Sequence, residues 1–282
     1  MARLSAFADE AGSDLNDQIN ALAEAGVRWI DLRSVGGSSI EKLPVASAEW
    51  AATELERAGI GVNMFGSPIG KIDVADSFSI DRERLDHLLH MAEAFSCRSV
   101  RFFSYRNQAH QLPPARFEAD VFRRVEKLLA VAESEDLLLF HENEGGLYGE
   151  GTEQLLRLAE TFGPHPSFRM IFDFANLTSQ GEAAWPAWER LRDHTHAFHL
   201  KERDGDRHHV PVGHGCGEVV RILTDARARG FDGSLTLEPH LRFSSLAWGP
   251  DNRPLDQWSA ADAFQLAAEA GRDVCEQSGL AV

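Results

Sequence analysis

Four acidic or imidazole side chains stand at the ends of four successive apolar runs in the second half of the chain. They are Glu142 in LLLFHENE, Asp173 in RMIFDFAN, His199 in HTHAFHLKE and Glu238 in GSLTLEPHL. Short apolar runs of this kind are typical of buried β-strands. When such strands are parallel and close into a barrel, their C-terminal ends meet at one mouth. The pattern therefore predicts that the four side chains share one site.

Three carboxylates in one site would repel one another unless a cation held them together. The set is mostly hard oxygen with one imidazole, which favours one divalent metal ion, Mn²⁺ first, with Mg²⁺, Co²⁺ or Zn²⁺ as alternatives. Such an ion would chelate a carbonyl and an adjacent hydroxyl of a sugar and stabilise the enediolate formed when a neighbouring proton leaves. Glu142 and Glu238 lie on different strands, so one could abstract the proton while the other returns it. This chemistry is that of a metal-dependent isomerase or epimerase.

Eight strand-like runs alternate with eight helical stretches along the chain. The strands are predicted near 3–8, 27–33, 60–65, 98–103, 137–142, 168–173, 195–201 and 233–238. The helices are predicted near 14–25, 46–58, 79–95, 114–135, 151–162, 185–191, 216–229 and 259–278. Because parallel strands need helical crossovers, the alternation predicts a (β/α)8 TIM barrel that forms a single domain over residues 1–282. A doubly wound open sheet is the alternative, although no G-x-G-x-x-G motif follows a strand.

The alternation of side chains divides strand seven into two faces. Phe198 and Leu200 should pack under the helices, which turns His199 and Lys201 into the barrel. Lys201 is not expected to be a ligand, because a lysine beside a divalent cation stays protonated and is repelled by it. Its ammonium is instead predicted to be catalytic, as a donor to the substrate oxygen that becomes negative.

The same alternation in strand five places Glu144 on the face of Glu142, just beyond the strand, and turns His141 away. Glu144, and less favourably His141, could protonate a leaving group, which an elimination requires. This additional acid supports an alternative reaction. In it, a metal-dependent lyase or dehydratase acts on a keto-sugar, a keto-inositol or a 3-keto-glycoside.

Further candidates for substrate contact lie close to the strand ends. Lys71 follows the tight SPIG turn after strand three and could reach the same mouth. Trp248, in the loop after strand eight, could stack on a sugar ring. Asp31 and Arg33 share one face of strand two and are expected to form an ion pair at the end of the barrel.

The loop after strand seven contains three histidines, of which His209 is the candidate for substrate contact and His208 and His214 are its neighbours. Three glycines alternate with other residues in the same loop. A second metal site on the three histidines is conceivable, but because glycine is conformationally permissive we expect a mobile polar segment that covers the substrate.

Composition and charge exclude some classes of partner. The formal net charge is −16 at pH 7, so the chain lacks the excess of Lys and Arg that releases counterions from nucleic acid. We therefore expect a small carbohydrate substrate and no nucleic acid. Assembly into a homo-oligomer is compatible with the sequence. Three cysteines in no CxxC pairing indicate a reducing compartment, and no apolar run is long enough for a membrane span. The predicted location is the cytoplasm.

Around these residues the chain resembles the sugar phosphate isomerase/epimerase family of xylose isomerase-like TIM barrels, in the AP endonuclease family 2 superfamily. In the second half the resemblance is carried by HENEGGLYGEGTE, FDFAN, HAFHLKE, VPVGHGCGE and LEPHL. LSAFADEAG, WIDLRSVGG and FGSPIGK resemble the first three strands. The similarity spans almost the whole chain.

The resemblance implies a set of metal ligands consisting of Glu142, Asp173, His199 and Glu238. It also implies that the two glutamates act as acid and base, as in the ketose 3-epimerases of the family. Asn176 falls where those epimerases often have a substrate-binding His or Asn in a D-x-x-[HN] pattern. They usually have N-R after the strand-five glutamate, where this chain reads Asn143-Glu144. The family includes inosose dehydratases and, more distantly, endonuclease IV, whose extra histidine ligands have no match at strands two and three.

Overall fold

The computed structural model describes residues 2–108, 111–206, 208–243, 254 and 257–282. Within these residues eight parallel strands form a closed barrel. The strands are β1 (Arg3–Ala6), β2 (Trp29–Leu32), β3 (Gly61–Phe65), β4 (Ser99–Phe102), β5 (Leu138–Glu142), β6 (Phe168–Asp173), β7 (Ala197–Leu200) and β8 (Ser234–Leu237).

Helices connect successive strands and surround the barrel. They are α1 (Leu15–Glu24), α2 (Val45–Arg57), α3 (Ser79–Ala94), α4 (Pro114–Ser134), α5 (Thr152–Phe162), α6 (Phe174–Ser179), α7 (Ala184–Leu191), α8 (Val219–Ala228) and α9 (Ala260–Ser278). The short helix α6, directly after β6, was not predicted from the sequence. None of the described helices combines the length and the apolar character that crossing a membrane requires.

The order of the strands closes the barrel. Each strand pairs in parallel with its neighbours in sequence, and β1 pairs with β8. At that closure Ser5 lies opposite Thr236. The register of β7 places His199 beside Thr236 on one side and beside Asp173 of β6 on the other. This arrangement confirms the predicted TIM barrel and excludes the open sheet.

The outward faces of the strands pack against the helices. Leu235 and Leu237 of β8 are buried there, next to α9, as strand parity predicted. α9 begins after Ser259, whose hydroxyl accepts the N–H of Asp262 at 3.0 Å, and it is capped after Ser278 by Gly279, which has a φ of 70°. Each leucine buried in this way stabilises the fold by roughly 2 kcal/mol.

The inward faces form a separate, thinner layer. Met64, Ile171 and Ala197 make a small apolar cluster inside the barrel, with Phe140 packed against it. Phe140, Ile171 and Ala197 lie two residues before Glu142, Asp173 and His199, on the same faces of their strands. The barrel interior therefore supports the mouth from below.

Asp31 is satisfied inside the barrel and does not pair with Arg33, so the predicted ion pair is wrong. Asp31 accepts hydrogen bonds from Ser5 Oγ at 2.6 Å, Asn63 Nδ2 at 2.7 Å and Thr236 Oγ1 at 3.0 Å. These donors come from the neighbouring strands β1 and β3 and from β8. Because they occupy the carboxylate, Arg33 is left to bind elsewhere.

Candidate metal centre

The four side chains singled out in the sequence meet at the C-terminal mouth of the barrel. One ligand atom from each of Glu142, Asp173, His199 and Glu238 lies within 4.8 Å of the other three. His199 Nδ1 faces the acids, at 3.0 Å from Glu142 Oε1 and 3.3 Å from Glu238 Oε2. All four residues are buried. Three carboxylates and one imidazole nitrogen therefore converge on one small volume, hereafter the acidic cluster.

Asp173 is held in place by the start of the next helix. It ends β6 and is the N-cap of α6, where its Oδ1 accepts the N–H of Asn176 at 2.7 Å. The side chain of Asn143 fixes the same strand end, since it accepts the N–H of Asp173 at 2.8 Å and donates to its carbonyl at 2.9 Å. Asp173 Oδ2 is thereby turned toward the cluster, 4.0 Å from His199 Nδ1. Asn176 Nδ2 donates to Glu142 Oε1 at 3.4 Å, so its amide lies beside the cluster.

Lys201 enters the acidic cluster from the same face as His199. Its Nζ lies 3.0 Å from Asp173 Oδ2 and 3.1 Å from Glu238 Oε2. The residue is buried, with 4% of its surface exposed. Its ammonium thus neutralises part of the negative charge of the cluster.

Arg101 is a second buried cation of the cluster, and the sequence analysis did not identify it. Its Nη1 lies 3.1 Å from Glu142 Oε2 and 3.5 Å from Glu238 Oε1. A signal was present, because the buried apolar residues Val100 and Phe102 of β4 pack outward. Strand alternation then turns Arg101 into the barrel.

Arg33 also reaches the cluster. Its Nη1 lies 3.1 Å from Glu238 Oε1, while its Nε and Nη2 donate to the carboxylate of Asp9 at 2.8 Å each. The Cζ atoms of Arg33 and Arg101 lie 4.7 and 4.8 Å from the ring centre of Phe7. Asp9 and Phe7 therefore orient Arg33 toward Glu238.

The charges of the cluster shift the pKa values of its members. Burial lowers the pKa of His199, but Glu142 and Glu238 outweigh burial and raise it to about 10. Burial raises the pKa of Asp173 to about 7, and Lys201 opposes that rise. Burial also opposes ionisation of the two glutamates, yet the surrounding cations hold the pKa of both below its ordinary range. Without a metal, the cluster keeps a proton on His199 and readily accepts one on Asp173.

The donor set fits one divalent cation. Hard carboxylate oxygens with one imidazole suit Mn²⁺ or Mg²⁺, and also admit Zn²⁺. Asp173 Oδ2 forms an ion pair with Lys201, but it accepts no hydrogen bond from the described residues. The pKa values of His199 and Asp173 are raised, so both side chains hold protons that reduce the negative charge of the cluster. A bound metal ion would supply this positive charge in place of the protons.

A cavity of about 450 Å³ lies over the acidic cluster. Its lining consists of Arg33, Ser39, Glu41, Gly66, Pro68, Lys71, Arg101, Glu144, Asn176, Lys201, Arg203, Glu238 and His240. Five of these thirteen residues are basic, in a chain whose net charge is −16. Three of the residues predicted to contact substrate are among them: Lys71, Glu144 and Asn176. The volume is that of a pocket for a small organic ligand.

Lys71 is carried to the cavity by a turn that requires glycine. Gly70 has a φ of 80°, and a Cβ there would lie 2.1 Å from the carbonyl oxygen of Phe103. Lys71 Nζ then lies 2.7 Å from Glu144 Oε2 and 4.2 Å from the ring centre of Phe103. The pair of Lys71 and Glu144 forms one wall of the cavity.

The loop expected to be mobile is instead bound to a buried carboxylate. Glu202 accepts the N–H groups of Gly213 at 2.7 Å, Gly215 at 3.0 Å and Gly217 at 2.6 Å. A Cβ at Gly217 would lie 2.9 Å from Glu202 Oε1. The glycines therefore allow close approach to Glu202, a residue that the sequence analysis missed.

His209 lies behind the cavity wall and does not line it. It pairs with Arg203 across the short antiparallel strands Glu202–Arg203 and His209–Val210. Arg203 Nη2 donates to His209 Nε2 at 3.0 Å, and the ring of His209 packs edge-on against His240 at 5.4 Å. His209 can thus support two wall residues, which differs from the predicted direct contact. Trp248, the predicted stacking residue, lies outside the described residues.

Solved structures share this fold at low sequence identity, whereas no curated protein matches the sequence. The probable 3-DHS dehydratase AsbF from Bacillus anthracis is 15% identical, with a TM-score of 0.73 over 96% of this chain and 99% of its own. The 3-keto-D-glucoside 4-epimerase YcjR from E. coli is 12% identical, with a TM-score of 0.70 over 96% and 100%. The IOLI protein, solved with a zinc atom, is 13% identical, with a TM-score of 0.73 over 96% and 97%. At these identities the likeness shows the fold.

A sequence model of one family covers most of the chain. The model describes a xylose isomerase-like TIM barrel and matches residues 19–261. The match includes β2 to β8 and all four members of the acidic cluster. The chain therefore belongs to the xylose isomerase-like TIM barrel family.

Proposed function

We propose that this protein is a divalent-metal-dependent isomerase or epimerase that removes a proton from a carbon next to a carbonyl of a sugar or keto-sugar. The observation that supports the proposal is the buried cluster in which Glu142 and Glu238 flank His199. The proposed ligands are Glu142, Asp173, His199 and Glu238, with Mn²⁺ as the native ion. When bound there, the cation would polarise the substrate carbonyl and make the neighbouring proton more acidic.

Glu142 and Glu238 are the proposed base and acid. The low pKa values of their carboxyls keep both ionised at neutral pH, which is the state that a base needs. Glu238 lines the cavity, while Glu142 lies deeper, beside Asn176. Whichever of the two carboxylates returns the proton must first acquire it from solvent.

Lys201 is the proposed donor to the substrate oxygen that gains negative charge. Burial would lower the pKa of its ammonium, but Asp173 and Glu238 hold it well above the ordinary value. The group stays charged at neutral pH and lines the cavity. Asn176 and Lys71 line the same cavity and are proposed to hydrogen-bond substrate hydroxyls.

Proton exchange tests the proposal. Metal-loaded protein is incubated in D₂O with a panel of ketoses, keto-inositols, 3-keto-glycosides and 3-DHS. We expect deuterium at the carbon next to the carbonyl of at least one compound, with the exchange lost in Glu238→Gln. No exchange in any member of the panel would count against the proposed reaction.

A second candidate function, a lyase or dehydratase on a keto-sugar, keto-inositol or 3-keto-glycoside, is favoured by further acids in the cavity wall. Glu144 and His240 line the cavity, whereas His141 is buried edge-on against a phenylalanine of β4. His240 Nδ1 lies 2.7 Å from Glu10 Oε1, and its Nε2 lies 4.0 Å from Glu238 Oε1. Glu144 or His240 could protonate a leaving group. In the D₂O experiment, a product that has lost water or an aglycone would identify elimination.

We propose a small-molecule substrate and no nucleic acid, because the net charge of −16 disfavours a polyanion. We also propose a cytoplasmic location, because the three cysteines form no CxxC pair in the sequence.

A further inference from the structure

We propose that the substrate of this cavity carries an oxyanion, either a carboxylate or a phosphate, and that Arg203 binds it. The inference rests on the proposed function, because the same substrate would also reach the acidic cluster.

Arg203 differs from the other basic residues of the cavity wall in its partners. The other four each have a carboxylate oxygen within 3.1 Å, and they are Arg33, Lys71, Arg101 and Lys201. Lys201, Arg101 and Arg33 thereby balance the acidic cluster. Within the described residues no carboxylate forms an ion pair with Arg203, although it lines the same cavity. Its positive charge is not compensated by the protein described.

The guanidinium of Arg203 is nevertheless held in a fixed place. Nη2 donates to His209 Nε2 at 3.0 Å, and this bond brings no negative charge because an imidazole accepts it. The carbonyl of Arg203 accepts the N–H of Cys216 at 2.9 Å, which ties the strand to the following loop. Nε is buried and has no hydrogen-bond partner in the described part of the chain. Nη1 donates to no residue in the same part of the chain, so it is the donor left for a ligand.

Arg203 is only partly buried, so its guanidinium is open to an anion that enters the cavity. A guanidinium binds carboxylate or phosphate oxygens through two parallel N–H groups, with charge on both partners. His240 and Lys201 line the same cavity, and His240 Nε2 lies 4.0 Å from Glu238 Oε1, so a molecule whose anion binds Arg203 could extend toward the acidic cluster. A neutral sugar would leave this charge unused.

Calorimetry on the metal-loaded protein tests the inference with two matched pairs of probes. Shikimate, a cyclic polyol with a carboxylate, is compared with its uncharged methyl ester, and glucose 6-phosphate is compared with glucose. We expect at least one anion to bind about tenfold or more tightly than its neutral partner, the scale of a charge-assisted hydrogen bond. The pair that shows the preference distinguishes carboxylate from phosphate.

Three variants assign the preference to Arg203. In Arg203→Met the preference should fall to within about twofold, and Arg203→Lys should keep part of it because the charge remains. Arg57→Met, which removes an exposed arginine of α2, is the matched control and should bind like the wild type. Metal content and thermal unfolding of each variant show that the barrel is intact.

The outcomes separate this inference from the proposed reaction. Equal binding of charged and neutral probes by the wild type, or an undiminished preference in Arg203→Met, overturns the oxyanion site. Failure of every probe to bind also overturns it. An Arg203-dependent preference without deuterium exchange in any panel compound keeps the oxyanion site and rejects the isomerase and lyase assignments.

Discussion

Lys201 Nζ lies 3.0 Å from Asp173 Oδ2, so a permanently charged ammonium is the direct neighbour of a candidate metal ligand. The same nitrogen lies 3.1 Å from Glu238 Oε2. An ammonium has no lone pair and cannot coordinate a cation. Lys201 therefore contributes charge balance and hydrogen-bond donors to the site without occupying a ligand position.

Lys201→Met keeps the length of the side chain and removes its charge. We predict unchanged metal content and a kcat lower by about 100-fold or more, the scale of losing one donor to a developing oxyanion. Metal analysis and steady-state kinetics measure the two quantities. Normal turnover would make Lys201 a structural partner only, and loss of metal would show that it supports the ligands directly.

Arg101→Met removes a cation that lies 3.1 Å from Glu142 and 3.5 Å from Glu238. The free energy of unfolding of the metal-free protein should fall by about 3 kcal/mol, since two buried carboxylates lose compensation. Added Mn²⁺ should recover much of the loss, because a bound cation compensates the same acids. Urea unfolding with and without Mn²⁺ measures both values, with the exposed Arg57→Met as control. Equal losses with and without the ion would contradict the expected compensation.

Glu202→Gln weakens three hydrogen bonds from the backbone of the loop over 213–217. We predict destabilisation of about 2 kcal/mol and faster amide hydrogen exchange at Gly213 and Gly215. The exposed Glu56→Gln on α2 is the matched control and should change neither. Unaltered exchange at both glycines would mean that the carboxylate does not hold the loop.

Stability should fall in acid partly through His209. Burial, with Arg203 adding to the effect, lowers the pKa of His209 to about 3. An unfolded histidine titrates near 6.5, so between these values the unfolded chain binds a proton that the folded chain does not, and stability decreases as pH falls. His209→Asn keeps an acceptor for Arg203 but cannot titrate. It should lose less free energy of unfolding than the wild type from about pH 7 to pH 5, and parallel losses would refute the assignment.

The barrel and the acidic cluster could be predicted because both follow from strand parity. Each of the four cluster residues ends an apolar run, and the C-terminal ends of parallel strands meet. The same alternation predicts the direction of Lys201, and in β4 it turns Arg101 into the barrel. What parity fixes is the direction of a side chain across its own strand.

Partners supplied by other elements could not be predicted in this way. Asp31 and Arg33 share a face, but hydroxyl and amide donors on neighbouring strands take the carboxylate first. The glycines after β7 predicted a mobile loop. The sequence does not show that their N–H groups donate hydrogen bonds to Glu202, which hold the loop in place. Both errors arise from contacts between distant segments, which single-strand patterns do not contain.

The metal content of the purified protein tests most directly whether the acidic cluster holds one divalent ion. Wild type, Glu238→Gln and His199→Ala are dialysed against Mn²⁺ and analysed by mass spectrometry, with Lys201→Met and Glu56→Gln as controls. We predict one equivalent of metal in the wild type and in both controls, and clear depletion in Glu238→Gln and His199→Ala. Full occupancy in both of these ligand variants would contradict the assignment of the cluster as a metal centre.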